Sequence, residues 1–147
     1  MFDDLFDLNV KCVLFTVQKA SSFFVEGGSI ILFGSNVSVK GSAGGSVDSA
    51  TKDAVRSLAR CWSVDLKDRK NRVYTLSPGP TITSALKNVG GTEENTEKFF
   101  NSIAASSIMG RLGQPSEIAK AALFLSSVDS SYVTEIELFV DGGRSQI

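Results

Sequence analysis

Histidine is absent from this chain. That excludes Ser-His-Asp and Cys-His nucleophilic centres, and metal sites built on imidazole. Cys12 and Cys61 are not a C-x-x-C pair, so neither a zinc ribbon nor a disulfide framework is expected. Chemistry must then run on Ser, Lys, Asp, Glu, Tyr or Thr, or on a bound cofactor. Three segments place such residues beside glycine or proline: Gly34-Ser35-Asn36, Ser77 to Thr83, and Asp141-Gly142-Gly143. Asp48 and Lys52 stand one helical turn apart. Read in isolation, Ser35 is a loop serine, Lys52 a surface lysine and Asp141-Gly142-Gly143 an ordinary turn. Ser35 with Lys52 would also suit a Ser-Lys hydrolase, but no nucleophile elbow or oxyanion loop accompanies them.

The elements that must position these residues alternate between helix and strand. Phe6, Val10, Val13, Leu14 and Val17 recur at helical spacing and predict a helix over 3–24, stopped by Gly27-Gly28. Ser29 to Gly34 is a short apolar run bounded by glycines, as a strand buried on both faces requires. Residues 36–46 read as a loop. A second helix is predicted from Val47 to about Asp68. Val55, Ala59, Trp62 and Leu66 form one apolar stripe on it, and Ala50, Ala54, Leu58 and Cys61 a second. Arg72 to Leu76 is the next strand, ended by Ser77-Pro78-Gly79-Pro80. A polar stretch from Lys87 to Thr96 leads into a short helix around 93–105. Pro115-Ser116-Glu117 opens another helix, and Thr134 to Val140 is the last strand. This order predicts an α/β fold with a parallel sheet of about three strands and helices on its faces. Ligands of such sheets sit at the carboxyl ends of the strands.

Composition sets the outer bounds. The 147 residues suffice for one domain, and the formal net charge of -1 offers no footprint for nucleic acid. No apolar run approaches the ~18 residues of a membrane helix. The start, Met1-Phe2-Asp3-Asp4, lacks the basic n-region of a secretory signal, so a cytoplasmic location is expected.

The strand ends and helices together resemble the C-terminal half of a short-chain dehydrogenase/reductase. The resemblance runs nearly end to end. Phe6-Asp7-Leu8-Asn9-Val10-Lys11 is similar to the helix carrying the family's active-site Asn. Gly28-Ser29-Ile30-Ile31 with Ser35 resembles the strand leading to its catalytic Ser. Ser49-Ala50-Thr51-Lys52-Asp53-Ala54-Val55 resembles the helix with its catalytic Lys. Ser77 to Thr83 resembles the Pro-Gly loop at the nicotinamide end of the cofactor. Gly110-Arg111-Leu112-Gly113, Pro115 to Ala119 and Val140 to Gly143 complete the pattern.

The resemblance implies a partial Rossmann-like, doubly wound parallel sheet, and hydride transfer between NAD or NADP and a small alcohol or carbonyl. It makes Asn9 the proton-relay residue, Ser35 the donor to the substrate oxygen and Lys52 the catalytic lysine, which also meets the cofactor. Pro78, Gly79, Thr81 and Thr83 would form the cofactor loop, with Thr83 on the nicotinamide carboxamide. The loop around 84–110 would read the substrate. No metal is implied.

Three departures qualify what the resemblance implies. The family's catalytic Tyr belongs four residues before Lys52, where this chain has Asp48. Aspartate is shorter, and at neutral pH it has no proton to give. Nothing in the 147 residues resembles the T-G-x-x-x-G-x-G turn that seats the pyrophosphate, so a truncated domain with negligible cofactor affinity is expected. Tyr74 replaces a small polar Asn, and Glu135 replaces a Gly whose loss is expected to strain the backbone. Two readings therefore stand side by side. One is an oxidoreductase, inactive as written. The other is a pseudoenzyme or oligomerisation module that binds a full-length relative. The helices at 3–24 and 47–68 resemble the family's dimer-forming pair, and the strand at 29–34 is expected to leave an apolar edge open. A homo-oligomer or a partner chain is expected on both counts.

Overall fold

The apolar periodicity of the first twenty residues folds into one helical run with an irregular middle. The computed structural model describes residues 1–41, 43–87 and 91–146. In it, α1 (Phe2–Phe6) passes into a π-helical turn, Asp7–Lys11, and then into α2 (Cys12–Ala20). The run closes in a 3-10 turn at Ser21–Phe23. β1 is Ser29–Phe33, followed by a 3-10 turn at Asn36–Ser38 and by α3 (Ser46–Asp65). Then come β2 (Arg72–Pro78), α4 (Ser84–Lys87), α5 (Glu93–Ala104), α6 (Pro115–Ser126) and β3 (Glu137–Val140). The polar stretch expected from Lys87 lies partly outside the described residues.

The three strands form one parallel sheet in the order β1-β2-β3. Ser29 pairs with Arg72 at one end of the first ladder, and Pro78 pairs with Val140 at the far end of the second. Side chains alternate across the sheet, as period two requires. Leu32 and Val73 face α3, where they pack with Val55 and Ala59; Val13 and Val17 of α2 join them. Tyr74 and Leu76 face the other way, onto Ile118 and Leu125 of α6. Helices thus cover both faces, as a parallel sheet needs. The second apolar stripe of α3 behaves differently: Ala50 and Cys61 are exposed.

Two strand boundaries differ from expectation. β2 runs on to Pro78, because a strand's last residue can lack an N–H; Gly79 N donates to Val140 O next, at 3.0 Å. β3 starts at Glu137 rather than Thr134. Glu135 has φ 60°, which breaks the extended path, although its N–H still donates to Val73 O at 2.9 Å.

Arg72 fastens α6 to the sheet. Its guanidinium donates to the carbonyls of Leu125, Ser127 and Ser130 at 3.2, 3.2 and 3.0 Å, satisfying groups at a helix C-terminus. Tyr74, buried beside it, donates its hydroxyl to Val133 O at 2.6 Å. Tyr132, by contrast, is fully exposed. Among the described residues no helix is long and apolar enough to cross a membrane.

Candidate active site

The first turns of α3 face the π-helical turn on one side and the Asn36–Ser38 turn after β1 on another. Packing of the π turn and the Asn36–Ser38 turn against α3 brings these parts together. Asn9 sits in the π turn. One extra residue per turn re-aims a side chain without ending the helix, and such turns are frequent at functional sites. Asn9 Nδ2 donates to Thr51 Oγ1 at 3.1 Å and reaches Asp48 Oδ1 at 3.5 Å. Thr51 is fully buried and its hydroxyl donates to Asp48 O at 2.7 Å. Thr51 was not a candidate from sequence. Its signal was weak: a hydroxyl on the same helix as Asp48 and Lys52, three residues after the first.

Asp48 and Lys52 are one turn apart on α3, yet no ion pair joins them. Among the described residues, Lys52 Nζ has no hydrogen-bond or ion-pair partner. The side chain that reaches Asp48 is that of Asn9 instead. A free ammonium at this point remains available to an incoming oxygen.

Ser35 follows β1 in extended geometry and caps the next turn. Its Oγ accepts from Val37 N at 3.4 Å, and its carbonyl oxygen accepts from Ser38 N at 3.0 Å. Its own O–H has no acceptor among the described residues, which leaves a proton to offer a substrate oxygen. Gly34 just before it is constrained by space: a Cβ there would lie 2.5 Å from Ser77 Oγ and 2.7 Å from Thr75 Cγ2.

The Pro-Gly loop is pinned at both ends. Gly79 passes so close to Asp141 that a Cβ would meet Asp141 Cβ at 2.6 Å. Pro80 O accepts from Gly113 N, and Gly113 O from Ile82 N, both at 2.9 Å, while Thr81 bridges to Gly113. Thr81 Oγ1 donates to Gly79 O at 2.9 Å. Thr83 Oγ1 accepts from Leu86 N at 3.3 Å and so caps α4. Asp141 folds the following turn through its own carboxylate, which accepts from Gly143 N and Ser145 N at 2.9 and 2.8 Å. That is a structural role, as expected for Asp141-Gly142-Gly143. Among the described residues no group of three or more acidic or Cys side chains gathers as a metal site would need.

Comparison with known proteins gives this geometry a context. The family model described as enoyl-(acyl carrier protein) reductase matches residues 1–145. The chain is similar to oxidoreductase asL5 of Sarocladium schorii, 41% identical over 147 residues, covering 99% of this chain and 57% of the relative. It is also similar to trihydroxynaphthalene reductase PfmaI of Pestalotiopsis fici, 33% identical, covering 96% of this chain and 52% of the relative. The crystal structure of angucycline C-6 ketoreductase LanV with bound NADP superposes with a TM-score of 0.91 at 28% identity, over 100% of this chain and 55% of that one. The chain thus spans little more than half the length of the relatives it matches.

Proposed function

Since the chain belongs to the short-chain dehydrogenase/reductase family of oxidoreductases, we propose that it corresponds to the C-terminal, catalytic portion of that domain, with the proton donor replaced. The reading rests on one observation. At the position expected of a phenol hydroxyl stands Asp48, whose carboxylate faces the amide donor of Asn9 at 3.5 Å. An aspartate offers no phenol O–H there to hand to a substrate oxygen. Loss of a positioned acid costs ~10²–10⁴ in rate.

The residues suit the nicotinamide end of NAD or NADP. Lys52 offers an ammonium with no partner among the described residues, and the Pro78–Thr83 loop is fixed by its bonds to Gly113. Pro78, Gly79, Thr81 and Thr83 would hold that end of the cofactor, which when bound gives or takes the hydride. Ser35 would orient an alcohol or carbonyl oxygen. Asn9 would steady α3 through Thr51 in place of relaying protons to Lys52. The LanV complex holds NADP, which favours a nicotinamide cofactor without deciding between the two forms here.

Titration of the chain with NADH and NADPH, followed by fluorescence, tests this reading. No saturation below about 1 mM is expected, since the pyrophosphate turn has no counterpart in these 147 residues. Micromolar binding would overturn the proposal of an inactive half-site.

A second, non-enzymatic reading has its own support. Among the described residues β1 is an edge strand, and its Phe33 is 57% exposed; Leu14 and Phe15 of the neighbouring α2 are exposed too. An apolar trough of about 490 Å³ runs between them, lined by Val13, Val17, Ile31 and Phe33. This face suits a second copy of the chain or a full-length relative, which would make the protein an oligomerisation module.

A further inference from the structure

One carboxylate on β3 reaches three of the segments that carry the candidate site. Glu137 Oε1 accepts from Ser38 Oγ at 2.7 Å and from Ser77 Oγ at 2.6 Å. Its Oε2 lies 3.4 Å from Arg56 Nη1. The Glu137 side chain is only 10% exposed, and Ser77 is fully buried. A carboxylate so far out of water is costly unless donors meet its oxygens. Here three donors do, each from a different part of the site.

Ser38 belongs to the turn capped by Ser35, and its one hydroxyl proton is shared between Glu137 Oε1 and Ser35 O, each 2.7 Å from its Oγ. Ser77 directly precedes Pro78 and Gly79. Arg56 stands one turn beyond Lys52 on α3, and its Nε is 3.1 Å from Asp53 Oδ1. The Ser77 hydroxyl is the same one that a side chain at Gly34 would strike. The end of β1 can close on it only as glycine. β3 itself supplies no candidate catalytic or cofactor residue, so Glu137 touches the site solely through what it holds.

We propose that Glu137 is a positioning residue of this site, clamping the Ser35 turn and the Pro-Gly loop in register with α3. The proposal rests on the oxidoreductase reading for what the site is, and on the geometry above for the clamp. A carboxylate that served the fold alone would, when removed, weaken the whole structure evenly. A clamp loosens the two segments it grips.

Amide hydrogen exchange on the full chain, without cofactor, separates these outcomes. The probes are the hydrogen-bonded amides of Val37, Ser38 and Gly79, with Tyr74 in β2 and Ala59 in α3 as references. In Glu137→Leu the first three exchange about tenfold or more faster, while the references change by less than about twofold. Glu137→Gln keeps an acceptor oxygen and recovers most of the protection. Even acceleration at all five amides overturns the proposal, as does no change at the first three. Should Glu137→Leu fail to fold, Ser38→Ala and Ser77→Ala each remove one donor. The former loosens Val37 and the latter Gly79; equal loosening in both variants, or none, defeats the clamp. The readout needs no nicotinamide. Unexpected tight cofactor binding would therefore revise the inactive half-site reading and leave this result standing on its own.

Discussion

Asn9 reaches across from the π-helical turn towards Asp48 on α3, its Nδ2 3.5 Å from Asp48 Oδ1, while the same nitrogen donates to buried Thr51 at 3.1 Å. The amide is thereby committed to the α3 helix. A tyrosine at position 48 would remove the carboxylate acceptor but leave the Thr51 bond, so the helix pair should stay in place.

Restoring the donor should therefore restore chemistry. In a fusion that supplies the family's glycine-turn segment, Asp48→Tyr is expected to reduce carbonyl substrates with NADPH about 10²–10⁴-fold faster than the unsubstituted fusion. Equal rates, or none in either protein, would show that Asp48 is not the decisive lesion.

Glu135 has φ 60°, a left-handed backbone that costs an L-residue roughly 1–2 kcal/mol. Glycine removes that cost but gains freedom in the unfolded chain, worth roughly 0.5–1 kcal/mol. Glu135→Gly is accordingly expected to raise stability by up to about 1 kcal/mol. Urea denaturation measures it, and a midpoint that falls would contradict the strain.

Glu117 caps the start of α6 and pairs with Arg111 through two bonds of 2.8 and 2.7 Å. The Arg111 hydrogen bonds, with the backbone N–H of Gln114, hold its carboxyl down to about 2 from a usual 4.5. The folded state thus binds fewer protons than the unfolded state between these values. Stability from Glu117 is complete above pH 4.5 and is lost as pH falls towards 2. Denaturation of the protein and of Glu117→Gln from pH 6 down should show their difference closing across that window; a constant difference would exclude the linkage.

The open β1 edge and exposed α2 side chains predict self-association or capture of a relative. Light scattering over a wide concentration range should show a dimer or larger species. A stable monomer throughout would defeat the oligomerisation reading, and Phe33→Lys should shift an observed dimer towards monomer.

Much of the fold was legible in the residues. The apolar run Ile30 to Phe33, the break at Pro78-Gly79 and Pro115 at a helix start are local features, and local geometry answers to near neighbours. The family pattern pointed to Asn9 and to the Asp48 turn of α3, which the Asn9 side chain meets. What was not legible lay in single side chains. Thr51 looked like one more helix residue, and Glu137 like a stray charge in an apolar strand. The charge inside Glu137-Leu138-Phe139-Val140 was in fact the signal, since a carboxylate in a strand this apolar needs donors.

The amino-acid order by itself determined three parallel strands and the helices over them. Tertiary structure alone decided how those parts act on one another. It turned Asn9 to Thr51 and Asp48 rather than leaving Asp48 to Lys52, and it put Glu137 beneath both Ser38 and Ser77. The reason is separation along the chain. Asn9 and Asp48 are 39 residues apart, and Ser38 and Glu137 are 99. Contacts at such distances depend on the register of the β2–β3 ladder and on the aim of one π turn, neither of which a local pattern of residues encodes.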